Sequence, residues 1–280
     1  MKNLLKITTT ITFVIVAYIA ISIIDAQPGQ FKVGFLDVGQ GDAIFIQTPD
    51  KFQILIDTGS SSVITSELGG VMAPWDRSID MVIITHPDAD HFGAIDDVTN
   101  AYRVDTIIDN GFYHDEDFLE YKNQIESEFV KHVNPKDGYS LELPGEVLLT
   151  FISVPTFGQG SDKNDESIIV RVDYQDASFL FTGDASVDIE EQLIEDYPGL
   201  LDVDVLKLGH HGSKTSTSDR FLEATTPQIA VVSASAGNRY GHPHPEVMDR
   251  VEQRDIISLC TCDVGRIVFR WKEGKLLVKK

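Results

Sequence analysis

Cysteine is scarce in this sequence, and acidic residues far outnumber basic ones. The only cysteines among the 280 residues are Cys260 and Cys262, two positions apart in a predicted β-strand. Side chains at that spacing share a face of the strand but are poorly placed to bridge, so we predict no disulfide framework. Lysine and arginine total 23 against 44 aspartates and glutamates, a formal net charge of −21. This charge argues against a general DNA-binding surface, and no stable contact with duplex DNA is expected.

Long apolar runs are also few, and the one that stands out, residues 7–24, follows Lys2 and Lys6. As a helix this run extends about 27 Å, just short of the roughly 30 Å hydrocarbon core of a bilayer. We interpret it first as an uncleaved single-span anchor. A cleaved signal peptide is an alternative, although Ile24 is bulky for a site cut after Ala26; a buried helix is another. The two lysines would stay cytoplasmic, giving a single-pass membrane protein with its domain facing outward, or a secreted or periplasmic protein.

After residue 27 the sequence contains no low-complexity tract and no linker rich in proline, glycine or serine. We therefore predict an N-terminal anchor or signal peptide at 1–27 and a single folded domain at 28–280. Apolar periodicity predicts strands at 31–38, 42–48, 52–57, 81–84, 167–174, 178–182 and 203–208. Helices are predicted near 115–131, 186–196 and 245–253.

The strands fall into two sets that correspond at a constant offset of 124 residues. The matched segments are 42–46 with 166–170, 58–59 with 182–183, 80–86 with 204–210, and 106–108 with 230–232. A shared ungapped offset indicates two similar β-rich halves. If they pack about a pseudo-two-fold axis, the polar residues after corresponding strands meet in one cleft, where a shared metal site can form.

The sharpest motif is His86-Pro87-Asp88-Ala89-Asp90-His91, directly after a predicted buried strand. Two imidazoles and two carboxylates within six positions suit Zn²⁺, Mn²⁺ or iron, and a tight turn can direct them at one or two ions. Without cations these side chains would crowd like charges together. His86, Asp88, Asp90 and His91 are therefore candidate ligands, and Asp90 is also a candidate proton acceptor.

Two further motifs follow apolar strands in the second half. The stretch GHHGS (209–213) offers two histidines, and the offset match to His86 favours His210 as the ligand, with His211 supporting it or facing the substrate. The turn FTGD (181–184) ends in Asp184, a carboxylate that can bridge two cations. Asp57, in the corresponding turn of the first half, is expected to orient the backbone of the ligand loop.

The segment NRYGHPHPEV (238–247) supplies further polar groups. Asn238 and His242 are candidates to hydrogen-bond a substrate or to protonate its leaving group. The alternative is a loop held only by its prolines. The other candidates for supporting or substrate-contacting roles are Asn164, His211, Ser213, Lys214 and His244, and Lys207, Arg220 and Arg239 are nearby cations.

At these motifs the chain resembles the metallo-β-lactamase superfamily, whose signature is H-x-H-x-D-H after a core strand. More narrowly, it is similar to the hydrolase domain of competence DNA-uptake proteins. The matching stretches include FLDVGQGDA (35–43), LIDTGS (55–60), ITHPDADHFGA (84–94) and LKLGHHGSKTS (206–216). The resemblance implies an α/β fold, a four-layer αβ/βα sandwich with two pseudo-repeated halves. It also implies a ligand set of His86, Asp88, Asp90, His91, Asp184 and His210.

The chain departs from the superfamily pattern at two ligand positions. Asp88 replaces the second histidine of the signature, and the middle histidine ligand is missing, with only Asn164 and Asp165 where it should lie. The first metal position is therefore rich in oxygen. Because oxygen ligands favour harder cations, the choice tilts toward Mn²⁺ while Zn²⁺ remains an option.

These observations predict a metallo-hydrolase with two divalent metal ions, zinc or manganese. A phosphodiester in DNA or a nucleotide is the first choice of substrate, and the net charge of −21 favours a small molecule or a single strand over duplex DNA. The first alternative is hydrolysis of a lactone, a β-lactam or a thioester. The second is a membrane-tethered, non-enzymatic competence accessory protein with a decayed metal site, against which the intact ligand set argues.

Overall fold

The computed structural model describes residues 29–109, 111, 131–133, 135–153 and 162–279, with isolated positions 10, 12, 13 and 119. Nearly all of the apolar run at 7–24 and most of the predicted helix at 115–131 lie outside the described residues, so both stay predictions. So does the boundary at residue 27. Within the part of the chain that the structure describes, no helix has the length and apolar character needed to cross a membrane.

The described strands form two mixed sheets, one of eight strands and one of seven. The strands are β1 (Lys32–Phe35), β2 (Ile44–Gln47), β3 (Gln53–Ile56), β4 (Ser78–Ile83), β5 (Arg103–Ile108), β6 (Lys131–Val133), β7 (Ser140–Leu143), β8 (Val147–Ser153), β9 (Ile169–Tyr174), β10 (Ala177–Phe181), β11 (Val205–Lys207), β12 (Ile229–Val232), β13 (Ile257–Cys260), β14 (Ile267–Lys272) and β15 (Lys275–Lys279). The spatial orders are β15-β14-β1-β2-β3-β4-β5-β6 and β13-β12-β11-β10-β9-β8-β7.

The predicted internal repeat is visible in the topology of the two sheets. Strands β2 to β5 are arranged like β9 to β12: in each set the first pair is antiparallel and the next two pairs are parallel. Even a polar detail recurs, since Asp80 accepts a hydrogen bond from the backbone N–H of Gln53 at 2.7 Å and Asp204 accepts one from Ser178 at 2.8 Å. The chain is therefore built from two halves of similar design.

The two sheets pack face to face, and helices cover their outer faces. Aromatic side chains join the sheets, with ring centroids 6.0 Å apart for Phe35 and Phe181 and 5.7 Å apart for Phe179 and Phe269. Fully burying each such side chain contributes roughly 1.5–3 kcal/mol. The helices are α1 (Val63–Val71), α2 (Ala89–Phe92), α3 (Ile95–Ala101), α4 (Val187–Asp196), α5 (Asp219–Thr225), α6 (Pro245–Glu252) and α7 (Thr261–Val264). The predicted four-layer αβ/βα sandwich is confirmed.

Most predicted elements are present with shorter bounds. Strands β1 to β3 and β9 to β11 lie within or close to their predicted ranges, and the helices predicted at 186–196 and 245–253 are α4 and α6. Helix α1 was not predicted, because Gly69 and Gly70 give it low intrinsic helix propensity. It forms because Ile64 and Leu68 are completely buried against the first sheet.

The prediction about the two cysteines was wrong. Cys260 and Cys262 form a disulfide, with their Cα atoms 5.1 Å apart. The prediction assumed that both residues lie in one extended strand. Strand β13 instead ends at Cys260, and the chain turns into α7 at Thr261, which brings the two Cα atoms within the usual range for a disulfide.

Candidate metal centre

The candidate site lies where corresponding strands of the two halves end. Asp57 follows β3 and His86 follows β4 in the first sheet, whereas Asp184 follows β10 and His211 follows β11 in the second. Both β3–β4 and β10–β11 are parallel pairs, so within each sheet the two polar residues emerge at the same edge. The architecture thus brings polar groups that are far apart in sequence into one buried cluster, as the repeat predicted.

Several buried polar atoms in this cluster have no hydrogen-bond partner among the described residues. They are His86 Nε2, His91 Nε2, His211 Nε2, Asp184 Oδ1 and Asp42 Oδ1. Asp184 faces two of these histidines: its Oδ1 is 3.4 Å from His91 Nε2, and its Oδ2 is 3.4 Å from His211 Nε2. Buried polar atoms are normally paired, because desolvation without a partner costs roughly 1–3 kcal/mol each. Imidazole nitrogens and carboxylate oxygens at such distances form a donor set that fits divalent cations.

The side chains form two overlapping groups, each able to hold an ion. His86, His91 and Asp184 make one group, and Asp90, His91 and His211 make the other. Asp90 completes the second group, with Oδ2 3.2 Å from His211 Nε2, and its side chain is 34% exposed. Asp184 belongs to the first group, and its Oδ2 also faces His211 of the second, as expected of a bridging carboxylate. Four of the six predicted ligands, His86, Asp90, His91 and Asp184, thus lie in these groups together with His211, and their role as ligands stays a prediction.

Hydrogen bonds on the far side of each ring direct the free nitrogens inward. His91 Nδ1 donates to Asp57 Oδ2 at 2.7 Å, and the other oxygen of Asp57 accepts from the backbone N–H of Thr85 at 2.8 Å. The Nδ1 of His86 is 3.1 Å from Thr85 Oγ1, whose hydroxyl donates to Asp57 Oδ2 at 2.7 Å. One buried carboxylate therefore orients both imidazoles with Nε2 toward the cluster.

The charges of the cluster depend on one another. Burial alone would lower the pKa of His91, but Asp184 and Asp57 raise it well above its usual value. Burial would likewise raise the pKa of Asp184, whereas His211 and His91 hold it well below the usual range. Asp184 therefore stays ionised, and a cation bound at His91 Nε2 would replace a proton, so metal binding is expected to release protons.

Replacing Asp57 with asparagine tests the orienting role of its carboxylate. Asp57→Asn keeps the shape but places one amide donor among groups that all donate, so His91 loses its fixed ring orientation. We expect metal affinity to fall by about 10- to 100-fold with the fold intact. A fluorescent-chelator competition titration measures this affinity, and circular dichroism controls for folding. Wild-type affinity in the variant would show that Asp57 only holds the backbone.

The repeat favoured His210 as the ligand and His211 as the supporting residue, whereas the structure favours the reverse. His211 is 1% exposed, and its Nδ1 donates to the carbonyl of Ser233 at 2.9 Å, which directs Nε2 into the cluster. His210 lies at the rim, with a side chain 26% exposed and Nε2 3.7 Å from Asp184 Oδ2. Both residues have positive φ, 47° and 55°, so side-chain directions here do not follow the alternation of a strand. We therefore prefer His211 as the ligand.

A buried ion pair between Lys207 and Asp42 lies next to the cluster. Lys207 is completely buried, and its ammonium donates to Asp42 Oδ2 at 2.7 Å and to the carbonyls of Gly183 and Leu208. Lys207 therefore cannot contact a substrate, contrary to our expectation for a nearby cation. Asp42 was not among the predicted site residues. Two features of the sequence could have pointed to this ion pair. An acidic residue stands between the GQG turn and an apolar strand, and a lysine stands inside another apolar strand, where a buried charge needs a partner.

Of the two departures from the superfamily pattern, the first, Asp88, lies beside His86, and the second follows Lys163, whose ammonium contacts Asp88. The side chain of Asp88 is 38% exposed, with Oδ2 3.9 Å from His86 Nε2 and Oδ1 3.8 Å from Lys163. Asn164 and Asp165 lie in a short 3₁₀ helix, and each has one buried side-chain oxygen without a hydrogen-bond partner. Oxygen donors are therefore present here, although not within the compact groups.

The remaining predicted residues belong to two loops on the second half. The side-chain amide of Asn238 is used inside its own loop: it donates to the carbonyls of Ser235 and His242 and accepts from the N–H groups of Tyr240 and His242. Its predicted contact with substrate stays untested. His244 Nδ1 accepts from the backbone N–H of Lys214 at 3.1 Å.

His242 faces the rim of the cluster, and Ser213 stabilises the histidine loop. The His242 ring is 5.5 Å from that of His210, and its buried Nδ1 has no hydrogen-bond partner. Burial and, after it, the neighbouring His210 lower the pKa of His242 to about 4. The imidazole is therefore neutral near pH 7. Ser213 Oγ is 3.0 Å from Thr215 Oγ1, and Thr215 Oγ1 is 3.2 Å from His210 Nδ1.

The chain belongs to the metallo-beta-lactamase superfamily, whose family model matches residues 36–236. Together, this match, the fold and the donor set define a metal-dependent hydrolase of that superfamily, and divalent metals are its cofactors. The resemblance to competence proteins is confirmed as well. The chain is 29% identical over 284 residues to ComE operon protein 3 of Bacillus subtilis, covering 95% of this chain and 35% of that protein.

A second competence relative gives the same result. The chain is 32% identical over 240 residues to Competence protein ComA of Neisseria gonorrhoeae, covering 85% of this chain and 32% of that protein. The chain thus spans about a third of the length of these curated relatives.

Solved structures share the fold at low sequence identity. One is CmlA, a diiron β-hydroxylase from Streptomyces venezuelae, with a TM-score of 0.55 and 15% identity over 87% of this chain and 55% of that one. Another is Zn²⁺-bound PqqB from Methylobacterium extorquens, with a TM-score of 0.51 and 12% identity over 79% of this chain and 85% of that one. These likenesses concern the fold alone.

Proposed function

We propose that this chain is a two-metal phosphodiesterase that acts on short or single-stranded nucleic acid outside the cytoplasm. The observation that carries the proposal is the composition of the donor set. Three buried Nε2 atoms converge on one carboxylate, and the positions where the superfamily has further histidines hold oxygen donors, Asp88 and Asn164. Oxygen-rich sites suit harder cations such as Mn²⁺ and the charged oxygens of a phosphodiester.

Each residue of the cluster has a distinct part in this chemistry. Divalent ions held there would lower the pKa of a bound water toward neutrality and offset charge that develops on the substrate. Asp184 holds the two groups at a fixed spacing because its two oxygens face different histidines. Asp90 is partly exposed and can accept the proton that the attacking water loses. His242, neutral and at the rim, can donate a hydrogen bond to the departing oxygen.

The orientation of the domain is part of the proposal. Lys2 and Lys6 precede an uncharged run, and the positive-inside rule then puts the rest of the chain on the outer side. The named relatives are competence proteins, in keeping with a role at the cell surface.

A reporter fused after Lys280 is expected to be active outside the cytoplasm. Activity restricted to the cytoplasm would contradict the orientation.

A substrate panel tests the proposed reaction. The full chain, supplied with Mn²⁺ or Zn²⁺, is assayed against bis(p-nitrophenyl) phosphate, a single-stranded oligonucleotide, a lactone and a β-lactam. We expect metal-dependent cleavage of the two phosphodiesters, abolished by a chelator and restored by added metal. Hydrolysis of the lactone or β-lactam without phosphodiester cleavage would favour the other enzymatic class, and no hydrolysis in any metal would favour a non-enzymatic role.

A further inference from the structure

An exposed aromatic and cationic pair stands on the loop beside the cluster. Tyr240 is 50% exposed, although large aromatic side chains are usually buried. The Arg239 guanidinium lies 4.8 Å from the centre of the Tyr240 ring and donates a hydrogen bond to the Tyr240 hydroxyl at 2.6 Å. Neither residue contributes to the apolar core, so packing does not explain this surface.

The loop that carries the pair is held in place. All the hydrogen-bonding groups of the Asn238 amide are used inside it, and they fix the backbone on both sides of Tyr240. The N–H of His244 donates to the carbonyl of Gly212 at 2.9 Å, which ties the loop to the GHHGS segment. Gly212 has φ +80°, and a Cβ there would collide with Pro243. The pair therefore has a fixed position relative to the metal cluster.

A short series of rings joins Tyr240 to the cluster. The Tyr240 ring is stacked on His242, with centroids 5.7 Å apart and an interplanar angle of 23°. His242 is 5.5 Å from His210, whose Nε2 is 3.7 Å from Asp184 Oδ2. The pair is therefore separated from Asp184 by two imidazole rings, so it lies outside the cluster rather than among the groups that would contact the reacting atoms.

We propose that Arg239 and Tyr240 form a subsite for the nucleotide next to the scissile phosphodiester, with the nucleobase stacked on the exposed surface of this aromatic and cationic pair and the adjoining phosphate contacted by the Arg239 guanidinium. This inference rests on the proposed phosphodiesterase function and names the part of the substrate that the rim recognises. Aromatic rings beside cations are the usual means of binding single strands without sequence preference. In a chain of net charge −21, such a local cation is needed for any nucleic-acid substrate.

If the subsite binds a nucleobase, KM should depend on the presence of a base in the substrate. The metal cluster alone predicts no such dependence. Tyr240→Ala is assayed with Mn²⁺ on an oligothymidylate and on an abasic oligonucleotide of the same length. We expect about a tenfold increase in KM for oligothymidylate, since stacking on an aromatic residue contributes roughly 1–3 kcal/mol per base. The KM for the abasic substrate is expected to rise much less, because that substrate has no base to stack and loses only the support that the Tyr240 hydroxyl gives to Arg239. Tyr240→Phe keeps the ring, so it is expected to keep the wild-type ratio of the two KM values.

Matched variants make the result specific. Tyr139 is also 50% exposed but lies beside β7, so Tyr139→Ala controls for the loss of an exposed tyrosine. Arg239→Gln is expected to raise KM for both substrates, because both retain the phosphate. Equal effects of Tyr240→Ala on both substrates, or no effect on either, would overturn the subsite while leaving the phosphodiesterase intact. Failure of the wild type to cleave either oligonucleotide would instead overturn the proposed function, and the subsite with it.

Discussion

Asp184→Asn is expected to lower the turnover of phosphodiester substrates by about 10³-fold or more, the scale on which a group that stabilises developing charge directly contributes. Added Mn²⁺ is not expected to restore activity. The reason is the position of Asp184: it belongs to the group with His86 and His91, and its Oδ2 also lies 3.4 Å from His211 Nε2 of the other group. Removing one negative charge there weakens both metal positions and their spacing together.

Asp88→Asn is the matched comparison, because it removes a carboxylate from the rim of only one metal position. Asp88 is partly exposed and 3.9 Å from His86 Nε2. Activity is expected to fall at limiting metal and to recover partly as Mn²⁺ is raised. Metal titrations of bis(p-nitrophenyl) phosphate cleavage distinguish the two variants. A wild-type metal response in Asp88→Asn would remove Asp88 from the site, and rescue of Asp184→Asn by metal would contradict the bridging assignment.

Lys207→Met is expected to lower the free energy of unfolding by about 3–5 kcal/mol, the usual cost of removing one partner of a buried ion pair. Lys207 and Asp42 are both essentially inaccessible to solvent, and the ammonium is the closest counter-charge to Asp42 Oδ2, at 2.7 Å. Burial alone would raise the pKa of Asp42, and Lys207 is the main cause that lowers it. Without the lysine, an uncompensated carboxylate stays inside the protein.

Two controls separate the lost charge pair from lost packing in Lys207→Met. The double variant Asp42→Asn/Lys207→Met carries no buried unpaired charge, so it is expected to recover part of the stability. Lys214→Met, at an exposed position, is expected to change stability by less than about 0.5 kcal/mol. Urea unfolding followed by circular dichroism measures all three. Equal stability of Lys207→Met and Lys214→Met would refute the structural role of the pair.

The sequence carried most of the information about the fold and about which segments meet. A motif such as His86-Pro87-Asp88-Ala89-Asp90-His91 can be recognised as a candidate metal site from the sequence alone, because ordinary loops do not contain so many potential ligands. The offset of 124 residues predicted that strand ends of two halves converge, and β3–β4 and β10–β11 confirm that symmetry. Local pattern and repeat together therefore sufficed for the architecture.

The directions of side chains and the pairing of residues far apart in the chain could not be predicted from the sequence patterns. The offset match favoured His210 over His211 as the ligand, but both residues have positive φ, a backbone conformation that an offset match does not reveal and that leaves His211 the more deeply buried of the two. The pair of Lys207 and Asp42 joins two halves of the chain and has no local signature. The disulfide was missed because the end of β13 falls within the Cys260–Cys262 spacing. In each case the deciding contact depends on backbone geometry at the end of a strand.

The most direct test of the account is the metal content of the full chain after reconstitution and removal of loosely bound ions. The cluster offers two overlapping donor groups built from His86, His91, Asp184, Asp90 and His211. We therefore predict close to two manganese or zinc ions per chain by elemental analysis. Less than about half an ion per chain, in protein that remains folded, would contradict the claim that these buried side chains form a metal centre.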